Sequence, residues 1–332
     1  MNWSIQRANQ WSHDIGWLSG CNFLPSTAVN STEMWQQETF DRQTIQAELT
    51  LAHDSGFNSC RVFLPFIVWE KERNAFLRIF RDFCDIVASC GISVMPVLFD
   101  DCAFAGKEPY PGKQDAPVPG VHNSGWTPSP GPSVADDPSK EPVLREYVTS
   151  VIGGFQSNRQ IIAWDLYNEP GNNGRGSKSA PLVEKAFAWA RAVDPPQPLT
   201  VGVWEFKEYD LPFAGLSDII SYHDYNPLPE SAARIQLLQR HNRPLLCTEW
   251  LHRPAGNTFA SHLPLYRRET AGAYCWGLVS GKTQTNLHWS TMSGQPDAFP
   301  NIWQQDVFYP DGTPYNENEI AILMKLSKTE PD

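Results

Sequence analysis

The sequence predicts a single α/β domain closed into a (β/α)₈ barrel of the TIM type, with long loops after strands three and eight. Three observations predict it. Short apolar runs alternate with amphipathic stretches throughout, the pattern of parallel strands joined by crossover helices. The alternation repeats eight times without a linker, so residues 1–332 read as one domain. Hydrophobic residues make up 41% of the chain and charged residues 19%, which supplies a large core and argues against disorder.

Strand one is IGWLSGCNF (15–23), followed by a helix over 41–55 with Asp41 as N-cap and Gly56 past its end. FNSCRVFL (57–64) is strand two and 72–90 helix two; Gly91 separates it from strand three, ISVMPVLF (92–99). Residues 100–138 form a Pro- and Gly-rich insertion, and helix three spans 140–155. IIAWDLY (161–167) is strand four and 179–193 helix four, with Pro181 tolerable in its first turn. LTVGVW (199–204) is strand five, followed by an irregular helical segment over 206–216. DIISYHDY (218–225) is strand six and 229–241 its helix. PLLCTEW (244–250) is strand seven with a helix over 258–269, and AGAYCWGLV (271–279) is strand eight. A polar loop covers 280–312 and the last helix 315–328.

The net charge of −11 comes without any basic run, which excludes nucleic acid as the expected partner. No apolar stretch approaches the ~20 residues that cross a bilayer, so no membrane partner is expected. The N-terminus, MNWSIQRANQWSHDIGW, lacks a basic segment followed by an apolar one. As the sequence stands, the expected location is the cytoplasm; a removed signal peptide would make it periplasmic or secreted. The seven cysteines include no CxxC pair, and Cys21, Cys60, Cys247 and Cys275 fall in apolar runs. They read as buried free thiols of a reducing compartment. Neither cysteine nor histidine spacing fits zinc, and no metal or cofactor is expected. The sequence leaves the oligomeric state open.

In a barrel of this kind the chemistry sits where strands end. Strand four ends in Asn168-Glu169-Pro170 and strand seven in Thr248-Glu249-Trp250. A carboxylate directly after an apolar strand is costly unless it faces a polar cavity. Two of them, three strands apart around one mouth, can face each other across it. Glycoside hydrolysis needs such a pair: one carboxyl protonates the leaving oxygen, and the other attacks the anomeric carbon or activates water. The alternative is two structural glutamates, salt-bridged at loop bases. Trp204 and Glu205 end strand five; Glu205 is the rival carboxylate and reads as a rim residue.

These residues resemble the clan A glycoside hydrolases, especially the cellulase-like family 5. The resemblance covers nearly the whole chain. It rests on Arg61 in strand two, the Asn168-Glu169 pair, His223 and Tyr225 in strand six, Glu249 in strand seven and Trp276 in strand eight. It implies Glu169 as acid/base and Glu249 as nucleophile of a retaining β-glycosidase acting on gluco- or manno-configured glycans. The chain departs from the pattern at strand three, where many members have a histidine and this chain has Asp100 and Asp101.

Each further candidate has a physical role and a plainer alternative. Arg61 can keep Glu249 ionised, or form a barrel-interior salt bridge. Tyr225 can donate to Glu249, or pack in the core. Asn168 can hold the sugar 2-hydroxyl, or serve the turn. His223 can bond the acid/base or the sugar, or be a satisfied buried histidine. Trp276 can floor the apolar face of the ring, or pack. Asp100 and Asp101 are subsite candidates or loop caps. Trp126 and Trp204 are candidate sugar contacts. Lys282, Gln284, Asn286, His288 and Trp289 lie on the loop that would wall the cleft, and singly read as surface residues.

The expected partner is therefore a carbohydrate. The alternatives are a xylan- or other hemicellulose-active enzyme and a non-catalytic sugar-binding barrel, against which both glutamates stand. A metal-dependent sugar isomerase would need a converging set of carboxylates and histidines that the sequence does not assemble. The two long loops, the first stiffened by prolines, predict a pocket rather than an open groove.

Overall fold

Eight parallel strands form one sheet in the computed structural model, which describes residues 2–328. In chain order the elements are α1 (Ile5–Ile15), β1 (Leu18–Asn22), α2 (Ser31–Trp35), α3 (Arg42–Asp54), β2 (Ser59–Phe63), α4 (Phe66–Ser89) and β3 (Ser93–Asp100). There follow α5 (Pro132–Ala135), α6 (Glu141–Phe155), β4 (Trp164–Asn168), α7 (Ala180–Val193), β5 (Leu199–Gly202) and β6 (Ile220–His223). The chain ends with α8 (Leu228–Gln239), β7 (Leu245–Trp250), α9 (Phe259–Glu269), β8 (Gly272–Trp276) and α10 (Glu317–Lys328).

The strand order is β5-β4-β3-β2-β1-β8-β7-β6. β1 pairs with β8 along its whole length, from Leu18↔Gly272 to Asn22↔Trp276. The remaining seam, between β5 and β6, is closed by a bridge between Val203 and Tyr222: Val203 N donates to Ser221 O at 3.2 Å and His223 N to Val203 O at 2.8 Å. The sheet is thus a barrel, as the eightfold alternation predicts. Its strands are buried on both faces, as parallel strands sandwiched by helices must be. Outside, α4 buries Phe76, Phe80, Phe83 and Val87, spaced as one helical face. Asp41 caps α3 as expected, accepting from Thr44 N at 3.0 Å.

The structure corrects several boundaries. The sequence reading starts at strand one and misses α1, which Ser4 caps by accepting from Arg7 N at 3.1 Å. α1 packs Ala8 with Leu18, Met95 and Ile219 under the barrel. α2 was also unexpected. Helix two begins at Phe66 instead of 72 and kinks at Glu72, where the backbone leaves helical geometry. β8 stops at Trp276, short of the expected 279, because Gly277 turns the chain with φ +76°.

The barrel floor is filled by close backbone approach. A Cβ on Gly20 would lie 2.0 Å from the Tyr274 ring, whose hydroxyl is held by Ser59 Oγ at 2.9 Å. Gly20→Ala is therefore expected to destabilise the fold by about 1–3 kcal/mol through overpacking. The check is the urea midpoint at constant m-value. An unchanged midpoint would mean that Tyr274 swings clear at no cost.

Candidate active site

The mouth of the barrel is organised around one guanidinium. Arg61, in β2, is fully buried. Its Nε and Nη2 donate to Asp165 Oδ2 of β4 at 3.1 and 2.8 Å, and Nη2 also to Asn168 Oδ1 at 2.6 Å. Nη1 donates to Asn22 Oδ1 of β1 at 2.8 Å and to Glu249 Oε1 of β7 at 2.9 Å. Tyr225 donates its hydroxyl to the other oxygen of Glu249, at 2.9 Å. Glu249 is thus held by two donors, each favouring its ionised form.

Glu169 follows β4 directly, with a left-handed φ of +44°. Its Oε1 lies 2.6 Å from His223 Nδ1, and its Oε2 accepts from the Cys102 thiol at 3.1 Å and from the Asn172 amide. His223 spans the pair, since the same Nδ1 is 3.5 Å from Glu249 Oε2. One oxygen of each glutamate and a nitrogen of His223 lie within 4.8 Å of one another. A cation could sit at such a spacing, but Arg61 and Tyr225 already aim their hydrogens at Glu249.

Burial pushes both carboxyls up: Glu249 to about 7, against the opposing pull of His223, Arg61 and Tyr225, and Glu169 in the same direction against Cys102 and Asn172. The two titrate as a pair. The stronger donors face Glu249, so the proton that the pair retains belongs on Glu169. Burial lowers His223 to about 4 and keeps it neutral. β5 makes room for this ring with Gly202, where a Cβ would lie 2.9 Å from His223 Nε2.

Glu169 and Glu249 open into a cavity of about 190 Å³. Tyr225, Trp126, Trp204 and Trp276 line it, as do Cys102, Asn172, Trp289 and Gln305. Trp126 and Trp276 pack edge to face at 5.6 Å. The other expected contacts do not line it. Arg61 has no exposed surface and acts only through Glu249, Asp165 and the two asparagines. The Asn168 amide is occupied by Arg61 on one side and Asp100 Oδ1, at 2.8 Å, on the other. His223 lies behind the glutamates.

Asp100 and Asp101 take the capping role that the sequence left as the alternative. Asp100 accepts from Trp126 Nε1 at 2.7 Å and Cys102 N at 2.9 Å, which fixes the tryptophan wall. Asp101 accepts from Tyr167 at 2.7 Å, Gly171 N at 2.8 Å and Ser179, and pairs with Arg175 at 3.0 Å. It fastens the turn after Glu169. Glu205 pairs with Lys207 at the rim, 2.7 Å away. Trp204 is placed by buried Asp210, which accepts from four successive backbone N–H groups, Trp204 to Lys207.

The sequence reading missed Cys102, Asn172, His122, Asn123 and Gln305. Cys102 was legible only as another thiol in a free, buried set, which all seven cysteines are. The others lie on loops without periodicity. Those loops are sewn together: Asn123 N donates to Thr283 O at 2.7 Å, His122 N to Thr291 Oγ1 at 3.0 Å, and Gln284 Nε2 to Val118 O at 2.8 Å. Gln284 therefore joins the two walls, and Lys282 pairs with Glu33 at 2.8 Å.

Paired carboxyls thus stand at the ends of β4 and β7 of an eight-stranded barrel, one of them held by arginine and tyrosine. The family model Cellulase (glycosyl hydrolase family 5) matches residues 19–298, and the chain belongs to that family. Solved structures share the fold at low identity. The exo-β-1,4-mannosidase Op5Man5 from Opitutaceae bacterium strain TAV5 is 16% identical with a TM-score of 0.66, over 94% of this chain and 59% of that one. The chain thus spans less than two thirds of that neighbour. A β-1,4-D-mannanase from Cryptopygus antarcticus is 14% identical with a TM-score of 0.60, over 95% and 91%. A β-glucosidase, 1317, is 14% identical with a TM-score of 0.63, over 95% and 99%.

Removing Arg61 leaves buried carboxylates without compensation. Arg61→Met is expected to cost about 3–5 kcal/mol at pH 7. Arg61 lowers the pKa of Glu249; without it, Glu249 holds its proton in the folded state and releases it on unfolding. The folded variant then binds more protons than the unfolded chain, so its stability falls as pH rises. Urea denaturation should show a larger loss at pH 8 than at pH 5. An equal loss at both would mean that Arg61 does not compensate Glu249.

Proposed function

We propose that the protein is a retaining β-glycosidase of neutral gluco- or manno-configured oligosaccharides, with Glu169 as acid/base and Glu249 as nucleophile. One observation carries the reading: the two carboxyls and His223 converge within 4.8 Å, and the Arg61 guanidinium donates to Glu249 and not to Glu169. That spacing favours direct attack over the roughly 6.5–9.5 Å that an intervening water needs. In the first step Glu249 attacks the anomeric carbon while Glu169 gives its proton to the leaving oxygen. In the second, Glu169 takes a proton from water, which displaces Glu249 and restores the β configuration. Arg61 and Tyr225 hold the attacking carboxylate in place, and His223 holds Glu169. The sugar class is supported by neighbours named mannosidase, mannanase and glucosidase. The joined loops favour a closed pocket and stepwise release of small sugars, with little loss of viscosity in a polysaccharide solution.

Glu249→Ala is expected to abolish hydrolysis in a folded protein. Azide should restore turnover of an activated aryl glycoside and yield the α-glycosyl azide. Proton NMR of the wild-type reaction should show the β-anomer first. Near-normal activity in folded Glu249→Ala, or an initial α-anomer, would refute the double displacement.

The pH profile should be a bell. Its acidic limb is protonation of Glu249, which can then no longer attack. Its basic limb is loss of the proton from Glu169, displaced upward by burial. Cys102 opposes that displacement by stabilising the ionised form. Cys102→Ala should therefore move the basic limb to higher pH, on the order of half a unit for one weak hydrogen bond, with the acidic limb in place. Cys102→Ser should bring it back. A shift of the acidic limb alone would contradict the assignment of roles.

A further inference from the structure

Two buried amides in the cavity wall have no hydrogen bond to the protein. Asn123, in the loop after β3, and Gln305, in the loop after β8, are each 1% exposed. Both line the cavity that holds Glu169 and Glu249. The backbone N–H of Asn123 is bonded to Thr283 O, and the carbonyl of Gln305 accepts from Arg253 at 2.9 Å. Their side-chain oxygens, Asn123 Oδ1 and Gln305 Oε1, are buried without any partner. An amide offers two donor hydrogens and an acceptor oxygen. Leaving these unused in the interior costs free energy that an apolar side chain of the same shape would not. Among the buried groups without a partner, these two belong to amides in the wall of the cavity that holds the glutamates.

The backbone holds both residues firmly. Asn123 adopts a left-handed φ of +47°, which asparagine tolerates better than most residues. Its neighbour His122 is locked by Nδ1 against Leu287 O at 2.7 Å. Gln305 lies between Gln304, whose Oε1 accepts from Trp289 N at 3.1 Å, and Asp306, whose Oδ1 accepts from Thr285 at 2.8 Å. The amides are therefore presented from fixed positions, as specific recognition requires.

We propose that Asn123 and Gln305 are the specificity pair of this pocket, bonding hydroxyl groups of the terminal, non-reducing sugar. The inference rests on the glycosidase reading above and names what that site selects. A sugar hydroxyl both donates and accepts, so it matches either end of an amide. The cavity lining contains no lysine or arginine, and the ionised Glu249 repels a second carboxylate. The selected ring is therefore neutral and hydroxylated, and a uronate is rejected.

The test pairs variants with substrates. Gln305→Met keeps length and removes the amide; Asn123→Gly removes the amide and permits the positive φ. The substrates are aryl β-mannoside, aryl β-glucoside, their monodeoxy analogues and the aryl β-glucuronide. Each variant should lose roughly 10- to 100-fold in kcat/KM on the better parent substrate. The loss should vanish on the one deoxy analogue that lacks the partner hydroxyl. Gln305→Met should unfold at the same or a higher urea concentration than wild type, because a partnerless buried amide is gone. The glucuronide should be the poorest substrate. Unchanged kcat/KM in both variants, equal losses on every analogue, or good turnover of the glucuronide would overturn the proposal. If the wild type cleaves none of the substrates, the glycosidase reading fails by itself. Calorimetric titration with β-1,4-mannobiose and cellobiose then decides the pair: binding lost in both variants supports it, and unchanged or absent binding overturns it.

Discussion

The site depends on one buried cation. A guanidinium with no exposed surface must have its five N–H donors met and its charge balanced inside the barrel. Arg61 meets that demand from strands β1, β4 and β7, through Asn22, Asp165, Asn168 and Glu249. Each partner is thereby fixed relative to the others, although the strands are far apart in sequence. Glu249 is one of those partners, so its orientation and its charge follow from the same bonds. Asn168 is another; its second amide face reaches Asp100, which orients Trp126. The tryptophan wall is thus tied to the arginine through two side chains, Asn168 and Asp100.

Glu169, the proposed acid/base, sits in a different kind of environment. Glu169 is placed by a left-handed backbone that costs a non-glycine residue on the order of 1–3 kcal/mol. The surroundings fix it. Asn172 N closes the turn onto Glu169 O at 3.0 Å, Asp101 accepts from Gly171 N, and Trp204 Nε1 donates to Pro170 O at 3.3 Å. The strand before it is regular, and the chain after it is held at three points. Glu169 therefore leaves the sheet at a sharp angle and projects over the mouth, while Glu249 stays within β7. The two carboxyls thus face one cavity from different backbone geometries.

The barrel and its two glutamates were legible because the signals are strong: an eightfold alternation, and carboxylates that end apolar strands. Direction was less legible. Asp100 and Asp101 sit where a sugar contact was plausible, but adjacent residues at a strand end point to different sides, and these two are taken up by Trp126, Asn168 and Gly171. Arg61 pairs with Glu249 as its charge suggested, whereas Asn168, a candidate for the sugar 2-hydroxyl, does not line the cavity, because residue type does not reveal depth. Cys102 was hidden for another reason: a lone thiol in a long loop belongs to no pattern, and only the fold brings it against Glu169. α1 was missed although Ser4 caps it, because it precedes the first strand, and its buried Ala8 packs on a barrel that forms from the rest of the chain.

Loops carry what the barrel leaves unspecified, and here the loops are not free. The segment after β3 and the segment after β8 are joined by a backbone bond from Asn123 to Thr283 and by side-chain bonds of Gln284 and Thr291. A loop bonded to its neighbour loses the mobility that would let it open for a long chain, and gains the precision to hold a polar group at a fixed point. Asn123 is itself one of the joining residues, so the join between the loops also positions an amide in the cavity wall. On the reading proposed above, closure and selectivity are then one structural event. A change that parted the loops would widen the pocket and blur its choice of sugar together, while the glutamates, anchored on β4 and β7, would keep their geometry.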